Sequence, residues 1–228
     1  MNESPNIWDE GKTLLFDKPY RWTSFDVVRK VRRVTKARRV GHAGTLDPLA
    51  TGLLIVCTGR NTKKISEIQD LEKEYTGTMV LGATTPSYDR ETAIENNVEV
   101  IGLTEELINS QLELFKGEIK QVPPLHSAKK IEGKRAYKIA RKGVTAELKP
   151  STVTIKEFKI TDFSIPELKF RVVCSKGTYI RSLVHDLGQS LGFGAYLHSL
   201  KRTRIGPYLL DDANNIFEFV NKFQADIQ

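Results

Sequence analysis

Apolar and polar positions along the chain change period several times, and each change marks an element. Residues 13–16 (TLLF) form a short apolar run ending at Asp17-Lys18-Pro19, a strand that the proline stops. Thr23 or Ser24 then caps a helix, with Phe25, Val28, Val31 and Val34 recurring on one face. Residues 53–57 (LLIVC) are apolar without interruption, the pattern of a central strand buried on both faces. A helix is predicted over 61–71, a strand over 74–81, and a helix from Thr104 toward Gly117 with Glu105 and Glu106 in its first turn. Farther on come a strand over 153–160 and an alternating strand through Leu168, Phe170, Val172 and Cys174. A helix follows Gly177 with a core stripe of Ile180, Leu183, Val184 and Leu187, then a strand over 195–205 and a last helix capped by Asp211. Strands and helices mix without βαβ alternation, so the predicted class is α+β on a mixed, largely antiparallel sheet with flanking helices. The whole chain, 1–228, reads as one domain without repeats or an interdomain linker.

Charge changes this picture in two places. The chain carries a net charge of +7, which points to a polyanionic partner only if the charge is concentrated. The predicted first helix bears Arg29, Lys30, Arg32, Arg33 and Lys36 off its apolar face, followed by Arg38 and Arg39, with no acid after Asp26. Residues 127–150 hold Lys129, Lys130, Lys134, Arg135, Lys138, Arg141, Lys142 and Lys149 against Glu132 and Glu147. This second run reads as a basic insertion with a short helix over 134–143 closed by Gly143. Either run can be a solvated face; together they fit an RNA or DNA binder. Cys57 and Cys174 both lie in apolar runs, as buried thiols of a reducing compartment do. The N-terminus, MNESPNIWDE, lacks the pattern of a signal peptide, and no apolar run approaches the ~20 residues of a membrane span. A soluble, cytoplasmic protein is expected.

The most distinctive loop is GHAGTLDPLATG, residues 41–52. Pro48 disfavours the helical conformation for Asp47, and Gly41, Gly44 and Gly52 permit tight backbone paths on either side. A carboxylate held this stiffly suits a nucleophile or a metal ligand, yet Asp before Pro is also a common turn former. His42 has no second ligand at a metal-binding spacing, so no metal is expected. GxSxG and P-loop motifs are absent, which leaves serine hydrolase and NTPase readings without support.

This loop resembles, nearly residue for residue, the signature of the TruB family of tRNA pseudouridine synthases. KPYRWTS (18–24), EYTGTMVLG (74–82), QVPPLHSAKK (121–130), CSKGTYIRSLVHDLG (174–188) and LKRTRIGPY (200–208) resemble further family segments, in family order. The resemblance implies the pseudouridine synthase fold and isomerisation of uridine 55 in the T-loop of tRNAs. Asp47 is then the catalytic aspartate, Tyr75 packs against the uracil and Arg181 pairs with Asp47. Tyr179 and Leu200 line the pocket, Lys18 supports it, and His42 leans into the RNA near the vacated base position. Residues 121–150 correspond to a thumb closing on the T-stem, where Lys129, Lys130, Lys134 and Arg135 join Arg29, Arg32, Arg33 and Arg38 in holding phosphates.

The chemistry is coherent with these residue types. Breaking the glycosidic bond, turning the base and rejoining it through C5 needs no redox change, so no cofactor is expected. The base must first leave the stack, and an aromatic face such as that of Tyr75 receives it. Asp47 must stay ionised where burial favours the neutral acid, and a guanidinium opposes that effect. Whether it attacks C6, attacks C1′ or assists glycal formation stays open. Two departures from the family pattern stand out. No C-terminal RNA-binding PUA domain is expected, which argues against guide-RNA dependence and for a stand-alone monomer acting on the T-arm. In ATTPSYDRET (83–92), Pro86 and Ser87 replace part of a TDTxD pattern, with Asp89 at the matching place. The rival reading is a non-catalytic RNA-binding or tRNA-folding factor on the same scaffold.

Overall fold

A computed structural model describes residues 6–125, 130–131, 134–135 and 148–225. The chain forms two compact units: Met1–Tyr75 with Lys201–Gln228, and Thr76–Leu200.

In the first unit, α1 (Ile7–Glu10) precedes β1 (Thr13–Lys18), α2 (Ser24–Thr35), β2 (Val40–His42) and β3 (Ala50–Thr58). A 3₁₀ turn over Gly59–Lys64 leads into α3 (Ile65–Asp70), dividing the helix expected over 61–71. Strand β4 (Lys73–Leu81) carries the chain into the second unit after Tyr75. There follow β5 (Ala83–Thr84), β6 (Asn96–Asn97), α4 (Glu105–Glu113), β7 (Gly117–Gln121), β8 (Lys130–Ile131) and β9 (Lys134–Arg135). Next are β10 (Ser151–Ser164), β11 (Glu167–Cys174) and α5 (Ile180–Ser190). Strand β12 (Ala195–Ile205) returns to the first unit, which ends with β13 (Tyr208–Leu209), β14 (Asn214–Asn215) and α6 (Ile216–Ala225). The short helix expected over 134–143 falls mostly outside the described residues; Lys134 and Arg135 are extended and pair with β8.

The first unit is built around β3, as its uninterrupted apolar run requires. Leu54 and Val56 pack with Phe16 and with Val27, Val28 and Val31 of α2, while Leu53, Ile55 and Cys57 pack with Ile68 and Ile205 on the opposite face. Each such side chain, fully buried, is worth about 1.5–3 kcal/mol over exposure. Strand β1 pairs antiparallel with β3, from Thr13 opposite Cys57 to Lys18 opposite Gly52, and β14 pairs parallel with β1. The apolar face of α2 differs from expectation. Thr23 is the N-cap and forms a capping box with Asp26, and the series buried against the core runs Ser24, Val27, Val28, Val31 and Thr35. Val28 and Val31 are buried as expected, and Phe25 stands in solvent. The last helix also starts later than expected: Asp211 lies in a 3₁₀ turn, and Asn215 caps α6 by accepting the Phe217 N–H at 2.8 Å.

In the second unit β7, β10 and β11 pair antiparallel. Their buried residues include Val153, Ile155, Phe158, Phe170 and Val172, and α5 adds Ile180, Leu183, Val184 and Leu187, the stripe its spacing predicted. Both cysteines are buried, and neither forms a disulfide.

Candidate active site

Asp47 sits half-buried in the loop between β2 and β3, and the loop is held from two sides. On one side stands Lys18, the last residue of β1 and wholly buried. Its ammonium donates to the carbonyls of Trp22 at 2.6 Å, Pro19 at 2.9 Å and Pro48 at 3.4 Å. The Arg21 N–H also donates to Pro48, at 2.8 Å, and Ala50 N–H closes a turn onto Asp47 O at 3.1 Å. Ser24, buried in the first turn of α2, accepts from Leu46 N–H at 2.9 Å and donates to Leu46 O at 3.3 Å. Burial pushes the Lys18 ammonium down to about 8, and the negative charge of Asp47 is the main influence opposing that fall.

On the other side stands Arg202 of β12, also buried. Its guanidinium donates from Nε to Leu53 O at 2.8 Å and from Nη2 to Gly44 O at 3.0 Å, with Nη1 3.5 Å from Thr45 O. The fork thus ties the start of the loop to the strand that follows it. Gly52 has φ +99°, and a Cβ there would lie 2.3 Å from Arg202 O, so only glycine lets the two backbones approach this closely. Gly44, at φ +97°, makes the tight turn at the start of the loop. His42, half-buried at the end of β2, has its pKa lowered by burial and then by the Arg202 charge. The first unit therefore brings Lys18 and Asp47 within electrostatic reach of each other, with His42 at the neck of the same loop.

Tyr75, also of the first unit, is buried in β4 beside a well-anchored stretch. Its neighbour Glu74 accepts from Thr203 Oγ1 at 2.7 Å and lies 3.6 Å from Arg204 Nε, while Arg204 Nη2 reaches Glu72 at 2.7 Å.

The second unit positions Tyr179 and Arg181 at the start of α5. Gln121 grips the backbone of Tyr179, accepting its N–H at 2.8 Å and donating to its C=O at 3.0 Å. Ser182 donates to Val122 O at 2.8 Å, so α5 is fastened to the start of the 121–150 segment. Arg181 is buried; its Nη1 donates to Ser87 O at 3.1 Å and lies 3.6 Å from Asp89 Oδ2. Asp89 in turn accepts from Ser87 Oγ at 2.6 Å and Glu91 N–H at 2.9 Å. Ser87, which stands where the TDTxD pattern has Thr, thus keeps a hydroxyl on the acid that faces Arg181. Tyr88 between them has φ +62° and stacks on His185 with centroids 3.8 Å apart. Leu200, half-buried, ends this unit in β12.

Arg29, Arg32, Arg33 and Arg38 are all exposed. Lys129 lies outside the described residues, and Lys130, Lys134 and Arg135 belong to the β8–β9 pair. Among the described residues no group of three or more His, Cys, Asp or Glu could hold a metal ion, and no helix is long and apolar enough to cross a membrane. Arg202 was not singled out from the sequence, and Ser24 only as a possible helix cap. The signal for Arg202 was its place in LKRTRIGPY, and for Ser24 its place in KPYRWTS, but neither segment says which side chain turns inward.

Comparison with known proteins adds to this geometry. Residues 32–180 match the TruB family pseudouridylate synthase N-terminal domain, and residues 181–224 match the tRNA pseudouridylate synthase B C-terminal domain. The chain is 50% identical to the tRNA pseudouridine synthase B of Phocaeicola vulgatus over 216 residues, 92% of each chain. It is 49% identical to that of Flavobacterium johnsoniae over 228 residues, covering 97% of this chain and 100% of the relative. Among solved structures, a chain of a Cbf5–Nop10–Gar1 complex superposes with TM-score 0.73 at 29% identity, over 94% of this chain and 54% of that one. A chain of an H/ACA RNP bound to a substrate RNA containing 2′-deoxyuridine superposes with TM-score 0.71 at 26% identity, over 98% of this chain and 57% of the other. The present chain thus spans little more than half the length of these two.

Proposed function

The chain belongs to the TruB family of pseudouridylate synthases, and from that premise we propose that it isomerises uridine 55 in the T-loop of tRNAs, with Asp47 as the catalytic carboxylate. The observation that carries this reading is the loop itself. A half-buried carboxylate is held on a backbone whose carbonyls take the hydrogen bonds of two buried cations, Lys18 and Arg202. Such a carboxylate meets the reacting nucleotide with little reorganisation.

In the reaction the bond between N1 of the uracil and C1′ breaks, the base turns, C5 bonds to C1′, the proton on C5 leaves and N1 takes up a proton. Atoms and electrons balance without an oxidant or a second substrate. Asp47 attacks C6, attacks C1′, or takes a ribose proton on the way to a glycal; each route draws on an ionised carboxylate in fixed orientation. Lys18 adds positive charge beside it. The target base is flipped out of the loop to reach Asp47, and Tyr75 offers it an aromatic face. The pairing of Arg181 with Asp47 and the pocket roles of His42, Tyr179 and Leu200 rest on the family resemblance. Arg29, Arg32, Arg33, Arg38 and the lysines of the 121–150 segment hold phosphates of the T-arm without reading sequence. The protein acts as a monomer, in the compartment where tRNA is processed.

Tritium release from a T-arm stem-loop labelled at uridine C5 tests the proposal. Wild type should release tritium without added metal or nucleotide, and Asp47→Ala should not. A wild-type protein that binds the stem-loop yet releases nothing would favour the RNA-binding factor instead.

A further inference from the structure

Two aromatic rings stand in solvent beside the Asp47 loop, and no core residue explains them. Tyr20 is 44% exposed and Phe25 59% exposed, whereas the buried face of α2 is supplied by Val27, Val28 and Val31. Each ring is one residue along the chain from a residue that touches the loop. Arg21 donates its N–H to Pro48 O at 2.8 Å, and Ser24 exchanges hydrogen bonds with Leu46. The rings therefore flank the segment that carries Asp47. Each also carries a guanidinium: that of Arg21 lies 5.6 Å from the Tyr20 centroid and that of Arg29 lies 5.8 Å from the Phe25 centroid. Arg21 adopts φ +65°, a conformation that side chains other than glycine rarely take, and it is tied there by its bond to Pro48. The surrounding surface is cationic, with Lys30, Arg32 and Arg33 exposed, and the nearby acid Asp26 is engaged by Thr23 and Arg29.

We propose that Tyr20 and Phe25, with Arg21 and Arg29, form a stacking platform for unpaired nucleobases of the RNA neighbouring the target uridine. The proposal rests on the catalytic reading of Asp47 only for the identity of the RNA. Every base has a π face, so aromatic rings accept unstacked bases with little regard to sequence, and guanidiniums beside them take the intervening phosphates. Charge complementarity selects this occupant: an aromatic pair with cations on its rim suits an unpaired polyanion better than an apolar protein surface. A nucleotide flipped into the site leaves its loop neighbours without a stacking partner, and these rings adjoin, through Arg21 and Ser24, the segment that carries Asp47.

The test is affinity of the full-length protein for a T-arm stem-loop and for a fully paired RNA duplex of equal length. Tyr20→Ala and Phe25→Ala should each weaken stem-loop binding about tenfold, as loss of one stacked base predicts, and leave duplex binding unchanged. Phe25→Trp should restore stem-loop binding. Stem-loop binding unchanged in both alanine variants overturns the proposal, and so does an equal loss on the duplex, which would make the rings supports for charge alone. Failure of Phe25→Trp to restore binding also overturns it. The catalytic reading is tested separately by tritium release from the same stem-loop, so a wild-type protein that makes no pseudouridine refutes that reading while these affinities still decide the platform.

Discussion

Replacing Arg202 by methionine removes the fork that ties Gly44 to Leu53 while keeping much of the side chain's apolar volume. Two well-formed charge-assisted hydrogen bonds disappear, and each contributes about 1.5–3 kcal/mol. Part of that loss is offset because a buried cation no longer has to be desolvated, a cost of several kcal/mol. A net destabilisation of about 2–4 kcal/mol follows, and for a protein of this length it lowers Tm by roughly 5–15 °C. The functional effect should be larger than the loss of stability. The Asp47 loop loses one of its two anchors, and misplacing a reacting group by about 1 Å costs on the order of 100-fold in rate. Arg202→Lys separates charge from geometry, since it keeps the charge but loses the planar fork that holds the carbonyls of Gly44 and Leu53. It should recover part of the stability and little of the rate. Thermal unfolding and single-turnover pseudouridine formation, both measured below the variant's Tm, read the two effects. Full activity in Arg202→Met, or complete rescue by Arg202→Lys, would refute the reasoning.

Lys18 and the basic helix give two further predictions. In the folded protein the Lys18 ammonium loses its proton near pH 8, whereas the unfolded chain holds it to about 10.5. The cost of burying the charge is therefore full below pH 8 and is recovered as pH rises from 8 to 10.5, because there the unfolded state binds more protons. Over that window the wild type should gain up to about 3 kcal/mol relative to Lys18→Met in denaturant titrations. Pseudouridine formation should meanwhile decline above pH 8, and Lys18→Arg should remove that alkaline limb from the rate profile. For the helix, Arg33→Gln should weaken stem-loop binding and reduce the slope of log K against log salt by about 1. An unchanged slope would place Arg33 away from phosphate.

How much of this was legible in the sequence depended on whether the cause was local. The LLIVC run of β3 announced burial on both faces, because no partner strand or helix was needed to interpret it. The stiffness of the Asp47 loop followed from Pro48 and the glycines, but the reason for Gly52 did not. Its Cβ is excluded by the backbone of Arg202, 150 positions away, a contact that only strand pairing creates. Arg202 itself is one of three basic residues between 200 and 205, and nothing local distinguishes the buried one from its exposed neighbour Lys201. The face of α2 departed from expectation at Phe25 because Val28 and Val31 fit two overlapping stripes, one completed by Phe25 and Val34 and one by Ser24, Val27 and Thr35, and packing against β1 and β3 selects the second. Arg181 shows the same limit: its position was marked by the family segment, but its bond to Ser87 O and its approach to Asp89 come from a turn 92 or more residues earlier.

The most direct measurement maps pseudouridine at single-nucleotide resolution in an unmodified full-length tRNA transcript treated with wild type or Asp47→Ala, with binding to the same transcript measured in parallel. The account predicts a single pseudouridine, at position 55, from the wild type and none from Asp47→Ala, with both proteins binding the transcript. Pseudouridine formed by Asp47→Ala at the wild-type rate, or formed by the wild type at a different uridine, would contradict it.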